Sequence, residues 1–226
     1  MAQSHFEIAV TRLRGRTFVT LRGRETTATP AACPAEGEWL GIRFKLGTFM
    51  PGLPPGRLRD RRDVTLPDAT TRAFWLNGSA WEYPDFENAD TFVTRLAREG
   101  IITRDFAVGA MLEREHPKWP IRSAQRHFVR SAGITHRTVR QIERARYATM
   151  LLKQGLSILH TVDAAGYFDQ PHLTRSLKTL IGSTPAEISR GTHQLSLLYN
   201  TKPLPPLYDA NGRVTHDCIG SNRRPG

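Results

Sequence analysis

The chain has 226 residues and a formal charge of +11, from 32 Lys and Arg against 21 Asp and Glu. At 39% hydrophobic and 23% charged, its composition is that of a folded globular protein, not a disordered one. No run of 18 apolar residues occurs, so a membrane-spanning helix is not expected, and the opening Met1-Ala2-Gln3-Ser4-His5-Phe6 lacks the pattern of a secretory signal.

The first 86 residues read as β. Phe6 to Thr11 and Arg16 to Leu21 are rich in β-branched and aromatic side chains, with Leu13-Arg14-Gly15 between them as a turn. Gly41 to Gly47 alternates apolar and basic residues and is expected as a half-buried strand. Pro51-Gly52-Leu53-Pro54-Pro55-Gly56 breaks regular structure, and 57 to 63 reads as a charged loop. The aromatics Phe74, Trp75, Trp81 and Tyr83 follow without a clear period. A domain boundary is placed near residue 86, where the texture becomes helical.

Asp90 is expected to cap a helix through Arg98, with Phe92, Val93 and Leu96 on one side and Gly100 stopping it. Asp105 is the expected cap of the next, through about Glu115, and Pro117 and Pro120 then force a loop. Four further helices are predicted over Ser123 to Ala132, Thr138 to Lys153, Ile158 to Ala165 and Gln170 to Ile181. Gly133, Gly155, Gly166 and Gly182 fall at or just past their ends. From 191 to 226 periodicity fades, which suggests a mobile tail. The expected fold class is α+β: a β-rich region 1–86, a helical domain 87–190 and the tail.

The charge is concentrated in the helical part. Residues 1–86 hold 12 basic and 9 acidic side chains, 87–190 hold 16 and 10, and 191–226 hold 4 and 2. Between 122 and 146, Arg122, Arg126, Arg130, Arg137, Arg140, Arg144 and Arg146 face Glu143 alone. Arginine suits planar, bidentate recognition of phosphate and guanine. A charge run is also the ordinary exterior of a solvated helix.

An internal repeat bears on these readings. Arg126-His127-Phe128 with Gly133 and Thr135 recurs 49 residues later as Arg175-Ser176-Leu177 with Gly182 and Thr184. Ala124/Leu173 and Val139/Ile188 keep the same offset. On a helix of 100° per residue, Ala124, Phe128 and Ser131 share one side, and Arg122, Gln125, Arg126 and Val129 share the other. In the second copy Leu173, Leu177 and Leu180 make the buried side, leaving Thr174, Arg175 and Lys178 outside. Each copy therefore presents arginine with amide or hydroxyl groups, the chemistry that reads base edges and grips phosphates. Ile158 to Ala165, Gly166 and Gln170 onward form a compact helix-turn-helix with Asp169 as N-cap and Pro171 early in the second helix. The turn of the first unit, 115 to 120, is longer and lacks glycine. A connecting helix over 138–153 would be about 24 Å long, the right order to hold two reading helices near one DNA turn of roughly 34 Å.

Residues 105–190 thus resemble the DNA-binding domain of AraC/XylS-type transcription regulators, two helix-turn-helix units joined by one helix. The second unit carries the closest similarity, in Gly166-Tyr167-Phe168-Asp169-Gln170-Pro171-His172-Leu173-Thr174-Arg175-Ser176-Leu177-Lys178 and Gly182-Ser183-Thr184-Pro185. Gln125-Arg126-His127-Phe128, Gly133, Arg144 and Ala148 resemble the first unit and the connecting helix. Val162 stands where the family usually has alanine, and Pro120 where a capping serine is common. The resemblance implies groove contacts from Arg122, Ser123, Gln125 and Arg126 in the first unit, with Arg130 on the same helix. In the second it implies Gln170, His172, Thr174 and Arg175, with Lys178 nearer the backbone. It implies double-stranded DNA as partner, allows a small-molecule effector and RNA polymerase besides, and is compatible with a monomer or a homodimer in a bacterial cytoplasm, at the nucleoid. Residues 1–86 resemble a shortened cupin-like sensor, for which no effector-binding residues are identifiable.

Other classes fare worse. The alternative is a small-molecule effector-binding sensor or a small β-domain enzyme with the helices as accessory, and an enzyme would need paired carboxylates, a Ser/His/Asp set or a metal cluster. None converges in the sequence, so neither catalysis nor a cofactor is expected. His5 is the single histidine before residue 87, too few for a metal cupin, and Cys33 and Cys218 lack metal-knuckle spacing. His127, His136, His160 and His172 are scattered over helices. Single-stranded RNA readers need exposed aromatic platforms, and over 122–190 the large aromatics are Phe128, Tyr147, Tyr167 and Phe168.

Overall fold

A computed structural model describes residues 1–29, 36–60, 63–112 and 120–191, and the backbone of 218–219. Strands β1 (Glu7–Leu13) and β2 (Arg16–Arg22) pair antiparallel. Their two-residue connection, Arg14 and Gly15, has positive φ at both positions (49° and 76°), the turn whose twist matches a hairpin. β3 (Glu38–Arg43) lies on the other side of β1. Further along come β4 (Thr48–Phe49), β5 (Val64–Thr65), β6 (Asp68–Thr70), β7 (Ala73–Leu76) and β8 (Ser79–Glu82). β5 extends the main sheet beyond β2. β6, β7 and β8 make a second antiparallel sheet.

The aromatic stretch 74–83, aperiodic to the eye, is a hairpin turning on Asn77 and Gly78, both at positive φ. Phe74 and Trp81 are cross-strand partners on its buried face. The alternation read over 41–47 did not give a half-buried strand. β3 starts three residues earlier and ends at Arg43, and Gly41, Ile42, Arg43 and Phe44 are all buried. Arg43 is buried because Glu7, on the central strand, stands directly between it and Arg22 in register, with ion-pair separations of 3.7 Å to each.

Helix α1 (Ala89–Arg98) begins one residue before Asp90, which is exposed in its first turn; Asn88 takes the cap position without a side-chain cap bond. Phe92, Val93 and Leu96 are buried as the periodicity requires. They pack with Ile8, Val10, Val19, Leu21, Ile42, Phe74 and Trp81 into one core that runs on through Ile102. The textural change near residue 86 is therefore not where the packing divides. α1 is amphipathic like the later helices, and sequence texture does not reveal which core its apolar face joins. A short strand β9 (Thr103–Arg104) pairs with β4 before the chain enters the second core.

That second core is helical: α2 (Phe106–Leu112), α3 (Ile121–Ala132), α4 (His136–Lys153), α5 (Ile158–Ala164), α6 (Gln170–Leu180) and α7 (Pro185–Arg190). The four helices predicted over 123–181 are present within two residues at each end. α7 lies beyond the helices expected from periodicity, and Thr184 and Glu187 form a full capping box at its start. α4 runs through the middle, burying Val139, Ile142, Ala145, Ala148 and Leu152. Its two alanines allow neighbouring helices to approach closely. Cys218–Ile219 (β10) pair with β3, so this stretch of the expected mobile tail lies on the main sheet. The remaining tail, Cys33 and the first unit's turn up to residue 119 lie outside the described residues.

The two cores meet along the ends of two helices. Ala2 N–H donates to Leu180 O at 2.6 Å, and Ala28 N–H to Thr179 O at 2.7 Å. Ser4 Oγ donates to Glu143 on α4 at 2.7 Å. Gly133, ending α3, packs so tightly on the Pro55–Leu58 turn that a Cβ there would stand 2.9 Å from the Pro55 Cβ.

Candidate nucleic-acid interface

The repeat seen in sequence is a repeat of structure. Thr135 caps α4 by accepting from Thr138 N–H, and Thr184, 49 residues on, caps α7 by accepting from Glu187 N–H. Gly133 and Gly182 both hold the left-handed conformation that stops the preceding helix, with φ of 70° and 90°. Phe128 and Leu177 are both buried, while Arg126 and Arg175 are both exposed. Two helices of equal design therefore turn equivalent faces outward.

On α3, Arg122, Gln125, Arg126 and Arg130 are exposed, and Ser123 is half-buried in the first turn. Arg122, Arg126 and Arg130 follow at intervals of four and so form one stripe. The helix starts after Pro120, which offers no side-chain cap. Its anchoring comes from behind: Asp105 accepts from Ala107 N–H at the head of α2, from Ser131 Oγ at 2.5 Å, and pairs with His127 Nε2 at 2.5 Å. In this group the carboxylate stands between serine and histidine. The trio ties the inner side of α3 to the head of α2.

On α6, Gln170, Arg175 and Lys178 are exposed and Thr174 is half-buried. The helix is well capped, as its sequence implied: the Asp169 carboxylate accepts from His172 N–H at 2.6 Å. His172 is less free than the resemblance suggested. Its ring stands edge-on to Tyr167 with centroids 5.1 Å apart, and its Nδ1 accepts from Phe168 N–H at 3.4 Å. Phe168 itself, just before the cap, is 90% exposed.

The seven-arginine run of 122–146 divides into two jobs. Arg144 lies 4.5 Å from the Tyr167 ring centroid and donates to Gly166 O at 3.3 Å, bracing the turn of the second unit against α4. Arg146 pairs with Glu143 and lies beside buried His5, at the junction of the two cores. Arg122, Arg126, Arg130, Arg137 and Arg140 are exposed. Sequence reasoning grouped all seven; their partners are distant in sequence and separate them only in the fold. Among the described residues no His, Cys, Asp or Glu cluster could hold a metal ion. No helix there is long and apolar enough to cross a membrane.

A family model for a helix-turn-helix domain, of the AraC type, matches residues 119–191. The match spans both outward-facing helices, α3 and α6, and stops short of the β-rich residues before them. It supports a DNA-binding transcription regulator. No curated protein and no solved structure matches the chain.

Proposed function

We propose that this chain is a sequence-specific regulator that lays α3 and α6 into adjacent major grooves of duplex DNA. The observation that carries the reading is the pairing of exposed Arg126 and Arg175 over buried Phe128 and Leu177, at a constant offset inside the matched region. In this reading Arg122, Ser123, Gln125 and Arg126 contact the first groove, with Arg130 toward the phosphates. Gln170, Thr174 and Arg175 contact the second groove, and Lys178 the backbone. His172 is assigned chiefly to holding the turn, because its ring and Nδ1 are engaged there.

The 18 residues of α4 span about 27 Å, which supports two contacts roughly one turn of DNA apart. With both reading helices on one chain, a monomer suffices. The antiparallel β structure of residues 1–86 supports their reading as a shortened cupin-like sensor.

The test is in vitro selection by the full chain from a randomised duplex pool. Two short conserved blocks about one helical turn apart are expected. Arg126→Ala should relax one block and Arg175→Ala the other. Equal binding of all duplexes at moderate salt would sink the proposal.

A further inference from the structure

We propose that Phe168 is a base-reading residue, packing its ring on the C5-methyl of a thymine at the edge of the groove that α6 enters. The inference rests on the duplex-DNA reading above and deepens it.

An apolar residue directly before a helix cap has an ordinary structural use. It folds over the first turn and packs on the fourth helical residue, stapling the entry of the chain. That fourth residue is Leu173, which is fully buried. Phe168 is 90% exposed, the most exposed large hydrophobic side chain among the described residues, so it makes no such staple. The ring's exposure is not the slack of a loose loop. Phe168 N–H donates to His172 Nδ1 at 3.4 Å, and Tyr167 N–H to Val162 O at 2.9 Å. On the other side Asp169 is tied to His172 N–H. Arg144 holds the same turn through Gly166 O and the Tyr167 ring. A braced backbone presents the ring two residues ahead of Gln170, at the end of the helix that enters a groove first.

The chemistry of the side chain selects its target. A phenyl ring carries no donor, acceptor or charge for phosphates or polar base edges. In the major groove the apolar feature that base pairs display is the thymine methyl group. A contact there would cover surface that the protein itself leaves in water.

The experiment uses the full chain and the duplex it selects from a randomised pool. Each thymine in the block read by α6 is replaced singly by deoxyuridine, which removes only the methyl. One position is expected to lose about fourfold in affinity, the equivalent of one buried methyl. Phe168→Ala should bind the thymine duplex about as weakly and no longer distinguish thymine from uracil. Phe168→Leu should keep part of the discrimination. The melting temperature of both variants should match that of the parent, since the ring touches little of the fold. The inference is overturned if no deoxyuridine position matters, if discrimination survives in Phe168→Ala, or if that variant loses affinity equally for every duplex, as a sugar contact would give. If selection enriches no sequence, the DNA reading itself fails and takes this inference with it, a result distinct from normal selection with an inert Phe168.

Discussion

Arg175 and Lys178 lie three residues apart on the outer face of α6, yet their loss is expected to read out differently. Arg175→Ala should cost about 1–3 kcal/mol on the selected site and relax one base position. Lys178→Ala should weaken all sequences alike and flatten the salt dependence by about one counterion. Titrating both variants against selected and scrambled duplexes at several salt concentrations checks this; identical profiles would contradict it. His5 is buried beside Ser4 and among Arg24, Arg43 and Arg146. Burial, then the neighbouring guanidiniums, lowers its pKa well below 6.5. Above that pH the ring is neutral whether the chain is folded or not. Below it the unfolded chain takes up a proton that the folded chain resists, so stability should fall as the solution is acidified. Half-buried His136 is shifted the same way by burial and Arg140. Thermal melts between neutral and mildly acidic pH should show the loss, and His5→Gln should reduce the slope without abolishing it. An unchanged slope in that variant would remove His5 from the account. Burial also lowers the Arg24 pKa to about 10. It stays charged, donating to Ser4 O and Thr48 O at 3.2 Å each.

At the scale of elements, Asp105 connects the head of α2 to the inner side of α3. Asp105→Ala removes a helix cap and leaves Ser131 and His127 without their shared carboxylate. A loss of about 2–3 kcal/mol is expected from one cap and one charge-assisted bond. Denaturant unfolding measures this, and selection should show the α3 block blurred before the α6 block. A loss below 0.5 kcal/mol would show that α3 is held by other contacts. Most of these elements were legible in the sequence because their signals are local. Thr135, Ser157 and Asp169 cap helices from within four residues, and the offset of 49 copied stop and cap together. The Asn77-Gly78 hairpin pair and the Thr184-x-x-Glu187 capping box are local signals of the same kind. What local reading could not supply was the partner of each exposed or buried charge. Nothing near Glu7 in sequence announces that it lies between Arg22 and Arg43. Likewise nothing near Arg144 announces the Tyr167 ring.

At the scale of the molecule, the β-rich unit rests on the far ends of both candidate reading helices. Gly133 and Gly166 share a left-handed backbone but differ in surroundings: the first meets Pro55, the second open space. Gly166→Ala should cost about 1–2 kcal/mol, the strain of its backbone alone. Gly133→Ala should cost clearly more, because the Pro55 turn must also move, and it should loosen the β unit's hold on α3. Paired thermal melts with limited proteolysis between residues 102 and 120 compare the two; equal losses would show that the contact is unimportant. A helix normally leaves its last carbonyls to water. Those of Thr179 and Leu180 are instead taken by amides from residues 28 and 2. The last turn of α6 is thus completed by residues far upstream of it. In the cell, residues 2 and 28 leave the ribosome well before residues 179 and 180 and wait through the synthesis of everything between before their partners exist. Such long-range closure slows folding, and it makes a completed last turn of α6 a sign that residues 2 and 28 have docked on it.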